Sequence, residues 1–132
     1  MNELASQIGE NLTEIQEIYK ENIIDHYKHP HNKGKIDHNK THRELNTSCG
    51  DELTIYLNIK NNIIEDISFE GHGCAISQAS VSMLTDKLKG MTIEETLKLT
   101  QHDILELLGI PISYVRMKCA LLSIKTVQGA LC

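Results

Sequence analysis

Between Leu53 and Phe69 the chain spells out a β-hairpin. Leu53, Ile55, Leu57 and Ile59 alternate with Thr54, Tyr56, Asn58 and Lys60, a period of two that gives an extended segment one apolar and one polar face. Asn61-Asn62 supplies the turn, and Ile63–Phe69 is the return strand. A lone hairpin is marginal in water. Its apolar face needs a cover, and the rest of the chain offers mainly helical patterns.

From Thr13, the apolar positions Ile15, Ile18, Tyr19, Ile23 and Tyr27 follow helical spacing and predict a helix that Pro30 stops. The segment His29–Asn39 reads as an exposed polar loop, and Arg43–Ser48 as a first strand. After the hairpin, Gly71 and Gly73 free the backbone before Cys74. Ser77 is positioned to cap a helix with an inner face of Val81, Leu84 and Leu88, ending at Gly90. Thr92-Ile93-Glu94-Glu95 is a capping-box pattern for a short helix. A second short helix spans 102–108, and a last one starts near Ser113 with Val115, Leu122 and Val127 along one stripe. Helix, then strands, then helices predicts the α+β class: a small antiparallel β-sheet with helices packed on one face. One domain, residues 1–132, is expected, with residues 1–11 frayed.

Three cysteines fall where elements begin or end: Cys49-Gly50-Asp51, Gly71-His72-Gly73-Cys74 and Arg116-Met117-Lys118-Cys119, 25 and 45 positions apart. No C-x-x-C pair is present, which excludes zinc-ribbon and thioredoxin patterns. There is no secretory or membrane-spanning apolar run, and four cysteines are too few for a disulfide scaffold of this length. A reducing, cytoplasmic setting is therefore expected, where grouped cysteines mean metal or sulfur chemistry more often than crosslinks. A net charge of −5, one Phe and no Trp argue against a nucleic-acid partner. No membrane partner is expected either.

Taken singly, a cysteine is most often a small buried hydrophobe. The grouping shifts that balance. If 49–51 is extended, the Cys49 thiolate and Asp51 carboxylate point the same way and can face one cation. Cys74 and Cys119 lie near predicted helix starts, where the dipole favours anions and lowers a thiol's pKa. Three thiolates and a carboxylate suffice for a tetrahedral metal site or a small iron–sulfur cluster. Cys132, the last residue, reads as an exposed, incidental thiol.

Three stretches are longer than any spacing rule: Asn46-Thr47-Ser48-Cys49-Gly50-Asp51-Glu52, Phe69-Glu70-Gly71-His72-Gly73-Cys74-Ala75-Ile76-Ser77-Gln78-Ala79-Ser80, and Arg116-Met117-Lys118-Cys119. They resemble the signatures of the IscU/SufU/NifU N-terminal family of iron–sulfur cluster assembly scaffolds and sulfur acceptors. His26-Tyr27 and His29-Pro30-His31-Asn32-Lys33-Gly34 are similar to that family's HY…PRNxG segment. The resemblance covers residues 15–131. It implies the α+β fold above, with the cysteines gathered at one exposed end. It implies ligands Cys49, Asp51, Cys74 and Cys119 for a transient [2Fe–2S] cluster or Zn2+, with Asp51 the labile ligand and Cys119 the sulfur acceptor. It also implies a cysteine desulfurase as donor and apo iron–sulfur proteins or carriers as recipients.

Departures from the family pattern bear on subtype. Ile112-Ser113-Tyr114-Val115-Arg116-Met117-Lys118-Cys119 lacks the prolines and the histidine of the LPPVK-x-H-C stretch that a dedicated Hsp70 chaperone reads, so an IscU-type chaperone partner is not expected. The R-x-K-C pattern looks like SufU, yet the SufU insertion of about twenty residues between the second and third cysteines is missing. Scaffold and sulfurtransferase readings therefore stand side by side. A metallohydrolase or deaminase would need H-x-E and P-C-x-x-C, and neither occurs. A purely structural zinc module is the third possibility. His29 and His31 could bind metal but read better as residues of a solvated loop, and His72 lines the site, with ligation its lesser alternative. Arg116 and Lys118 read as either solvated charges or cations that support the thiolates and pair with Asp51. The basic run Lys28–Arg43 is a solvated loop or, by the resemblance, a desulfurase docking surface.

Overall fold

A computed structural model describes residues 12–132; the expectation for residues 1–11 falls outside them. The sheet is a three-stranded antiparallel meander in the order β1-β2-β3, with β1 Lys40–Asn46, β2 Asp51–Lys60 and β3 Ile63–His72. Asn61 and Asn62 both have positive φ, 52° and 64°, the backbone that matches the right-handed twist of the strands they join. On β2, Asp51, Leu53, Ile55 and Leu57 are buried and share one face. The alternation that makes Leu53, Ile55 and Leu57 core residues thus also carries Asp51 indoors.

Five helices cover that face. They are α1 Glu14–Lys28, α2 Ala75–Leu88, α3 Ile93–Leu97, α4 Gln101–Leu108 and α5 Met117–Leu131, the last preceded by a 3-10 turn Tyr114–Arg116. α5 packs on β1 and β2, while α2 packs on β3 and is flanked by α1, α4 and α5. α2 is buried on nearly every side, with even Ser80, Ser82 and Thr85 withdrawn from water. Their hydroxyls find partners: Ser80 Oγ donates to the Ala120 carbonyl at 2.8 Å and Thr85 Oγ1 to the Ser82 carbonyl at 2.7 Å, as buried polar groups must.

Four expectations need correction. The first strand runs from Lys40 to Asn46, not from Arg43 to Ser48, because residues 47–50 form the turn into β2. α2 begins three residues early, with Cys74 rather than Ser77 at its N-cap. The apolar stripe of α1 is only half used: Ile23 is fully buried, whereas Ile15 and Ile18 are 67% and 69% exposed. Finally, the last α-helix starts at Met117; Val115 lies in the 3-10 turn and is 73% exposed. The loop after α1 is also less free than its polarity suggests. Phe69 N–H donates to the Asn32 carbonyl and Gly34 N–H to the Phe69 carbonyl, at 3.0 and 2.8 Å, tying residues 32–34 to β3.

Candidate metal and sulfur site

The turn 47–50 joins β1 to β2 and presents Cys49, with Gly50 in left-handed backbone at φ 72°. Cys49 and Asp51 therefore do not form the extended pair expected. The strand register instead sets Asn46 opposite Asp51 on the core face. Asn46 Nδ2 donates to Asp51 Oδ2 at 3.4 Å and points at Cys119 Sγ at 3.6 Å. Cys119, the third residue of α5, is fully buried beneath them. One ligand atom each from Cys49, Asp51 and Cys119 lies within 4.8 Å of the other two. Two donors two positions apart and a third 68 positions further on thus meet at one end of the sheet.

Cys74 approaches by its backbone. The Cys74 N–H donates to Asp51 Oδ1 at 2.9 Å, so the carboxylate of β2 serves the N-terminus of α2, an end that favours an anion. The close approach depends on two glycines. A Cβ on Gly73 would sit 2.3 Å from Asp51 Oδ1, and one on Gly71, where φ is 151°, would sit 2.2 Å from the Glu52 carbonyl oxygen. The thiol of Cys74 stands outside the three-atom group but near enough to act on the charge of Cys119 and Arg116.

The electrostatics reverse one expectation. Position near a helix start does not lower the Cys119 pKa. Burial pushes it up, and hydrogen bonding with Cys49 and Asp51 and the adjoining Cys74 add to the rise. Without a bound cation, Cys119 is a protonated thiol. A metal ion at these donors would supply the positive charge that favours the thiolate, displacing the proton. Among the described residues, Arg116 is the cation that interacts with the thiols. Its hydrogen bond to Cys119 and the neighbouring Cys74 and Cys49 outweigh desolvation and hold its pKa above the ordinary value. Lys118 is exposed and turns to a groove lined by Asn46, Thr47 and Ser48. Asp51 has Asn46 and the Cys74 amide as hydrogen-bond partners, so the pairing of Asp51 with a cation is not what the fold uses.

The expected exposed end is largely closed. Cys74 and Cys119 are buried and Cys49 is half-buried, leaving Cys49 the most accessible of the three thiols. His72 is exposed, 3.9 Å from Glu52 through Nδ1, and outside the donor group. Cys132 is exposed, as expected. The donor set suits Zn2+ or an iron–sulfur cluster, since both take thiolate with one harder ligand. A second group of ligating side chains brings His31, a possible ligand in the sequence, together with His26 and Asp86, a grouping the sequence does not show. Asp86 is 55 positions from His31 and no spacing rule links them.

The chain matches the NifU-like N-terminal domain over residues 18–132 and belongs to that family. It is 40% identical over 115 residues to the iron–sulfur cluster assembly scaffold protein IscU 1 of Archaeoglobus fulgidus, covering 86% of this chain and 74% of that one. It is 34% identical to the zinc-dependent sulfurtransferase SufU of Bacillus subtilis, covering 86% and 89%. Among solved structures, the putative iron–sulfur cluster assembly scaffold protein for the SUF system of Fervidobacterium islandicum AW-1 superposes with a TM-score of 0.69 at 34% identity, covering 89% and 98%. The described helices include none long and apolar enough to cross a membrane.

Proposed function

We propose that this protein is an iron–sulfur cluster assembly scaffold that accepts sulfur from a cysteine desulfurase and builds or passes on a [2Fe–2S] cluster. Cys49, Asp51, Cys74 and Cys119 hold the cargo. The observation that carries this reading is the convergence of Cys49, Asp51 and Cys119 from a turn, a strand and a helix, within a family whose similar members are named for scaffold and sulfurtransferase work. In the sulfur step, the Cys119 thiolate attacks the outer sulfur of the desulfurase persulfide. A new S–S bond forms on Cys119, the donor's S–S bond breaks, and the donor cysteine leaves as thiolate. Asp51 is the hardest donor of the set and the one that lets the cargo go. The basic segment 28–43 docks the desulfurase, apo iron–sulfur proteins receive the product, and the reducing cytoplasm keeps the thiols free.

A second reading is favoured by Arg116. A guanidinium held on the thiol cluster stabilises a sulfur anion without iron, which suits a zinc-dependent sulfurtransferase relaying persulfide sulfur from Cys119. One experiment separates the two. The anaerobic protein is mixed with a desulfurase and cysteine, with and without iron. The scaffold reading expects a [2Fe–2S] visible spectrum that Cys119→Ser removes. The sulfurtransferase reading expects faster desulfurase turnover and a Cys119 persulfide with zinc alone and no spectrum. A folded protein that gives neither result overturns the assignment.

A further inference from the structure

α2 carries a second set of ligating groups at its other end. Asp86 lies twelve residues beyond Cys74, about 18 Å along the helix axis at ~1.5 Å per residue. His26 reaches it from the last turn of α1 and His31 from the loop after Pro30. One ring nitrogen of each histidine and one oxygen of Asp86 lie within 4.8 Å of one another. The two rings stack at 4.3 Å between centroids, and His31 Nδ1 is 2.5 Å from Asp86 Oδ2.

The surrounding contacts hold these groups in place. Ser82 Oγ bonds His26 Nδ1 at 2.7 Å and accepts the His31 backbone N–H at 2.8 Å. In the tautomer whose Nδ1 donates to Ser82 Oγ, His26 Nε2 keeps a free lone pair. Asn32 Nδ2 donates to Asp86 Oδ1 at 2.9 Å and Thr85 Oγ1 at 3.0 Å, while Lys89 Nζ donates to Asn32 Oδ1 at 2.7 Å. Such outer contacts are what orient imidazole and carboxylate ligands in metal sites. His26 is buried while His31 and Asp86 are half-exposed, which gives an ion one fixed ligand, two adjustable ones and a path from solvent. Burial, and then the nearby His31, lowers the His26 pKa, so the neutral imidazole that ligates is the prevailing form near neutrality.

We propose that His26, His31 and Asp86 form a second site for a divalent transition ion, of the two-histidine, one-carboxylate kind that suits Zn2+ or Fe2+, separate from the cysteine site. An ion there takes the place of the proton shared by His31 and Asp86 and clamps the 29–34 loop to α1 and α2. The inference does not depend on what the cysteines carry.

The test uses the full chain with Cys49, Cys74 and Cys119 replaced by serine, its fold checked by circular dichroism, dialysed against Zn2+ at pH 7.5. One ion per chain is expected. Adding His31→Arg, which keeps a cation beside Asp86 but removes the ligand, should weaken binding at least ~10-fold, as should Asp86→Asn. A folded triple-serine chain that binds no Zn2+, or binds it undiminished after His31→Arg, overturns the proposal. Should the triple variant not fold, wild-type protein labelled with 15N-histidine decides. Zn2+ should shift the ring nitrogens of His26 and His31 and leave those of His42 in place; unmoved His26 and His31 signals overturn it equally.

Discussion

Asp51 occupies a demanding position in this molecule. It is buried, it accepts the Cys74 amide and an Asn46 side-chain hydrogen bond, and it lies within ligating distance of two thiols. Replacing it by alanine should leave the Cys74 N–H without its acceptor while removing the hard ligand. A reconstituted cluster is then expected to persist longer and to transfer more slowly to an apo acceptor, followed by the decay of its visible absorption; unchanged or faster transfer would remove Asp51 from the release step. Gly73 offers a sharper probe because it holds no ligand. A methyl group there meets Asp51 Oδ1 at 2.3 Å and Ser77 Oγ at 2.8 Å, so Gly73→Ala should push the carboxylate off the Cys74 amide. Metal affinity is expected to fall ~10-fold or more, as when ligand support is lost, with Cys132→Ser as a neutral control. Equilibrium dialysis with Zn2+ checks both. The cysteines and Asp51 were legible as residues from their glycine-flanked motifs. The high pKa of Cys119 was not, because it arises from burial and from neighbours 70 and 68 positions away, Cys49 and Asp51.

Elements were legible in proportion to their periodicity. The hairpin's strict alternation placed β2 and the Asn61-Asn62 turn correctly, because a one-residue slip would expose the whole core face. β1 was misplaced by several residues since it buries only Asn46 fully, and its polar sequence carries almost no periodic signal. α1 shows the converse: its pattern is regular, but its packing on α2 and α4 leaves Ile15 and Ile18 outside. The capping box read at Thr92 is present, whereas Ser77 lies inside α2 rather than at its N-cap, and the box at Thr100 was not read from the sequence. Thr92 with Glu95 and Thr100 with Asp103 each form a reciprocal capping box. Thr92→Ala or Thr100→Ala should each cost about 1 kcal/mol, measurable by urea unfolding. Glu95 and Asp103 accept the cap backbone N–H groups, and this lowers both pKa values. Their stabilisation is complete above the unfolded carboxylate pKa and fades as pH falls through the lower folded values. Hydrogen-exchange protection factors in α3 and α4 should therefore fall at acid pH before those in α2 do.

At the scale of the whole molecule, the described core is built from the chain's own apolar side chains. Leu53, Ile55, Leu57, Phe69, Ile76 and Leu84 are fully or almost fully buried between the sheet and α2 and α5, and 132 residues suffice for such a core without staples. Adding a chelator is therefore expected to leave far-ultraviolet circular dichroism and cooperative unfolding largely intact, with change confined to 49–51 and 71–76. Collapse of the signal would instead mark a structural zinc domain. Ile55→Ala should cost about 2–5 kcal/mol whether or not metal is bound, as read from the shift in the urea midpoint. The fold class and the cluster of cysteines followed from the chain. The enclosure of the site did not, since it depends on α5 lying across β1 and β2, a contact between segments more than fifty residues apart.

The hydrogen bond between Asp51 and the Cys74 amide has one more consequence. The same carboxylate cannot give its full charge both to a helix end and to a cation. A cation held by Asp51 would leave less of the carboxylate's charge for the first turn of α2, and its removal would return that charge to the helix end. Because α2 touches α1, α4, α5 and β3, the ledge where it begins becomes an outward sign of full or empty, legible to a partner that never meets the sulfur atoms.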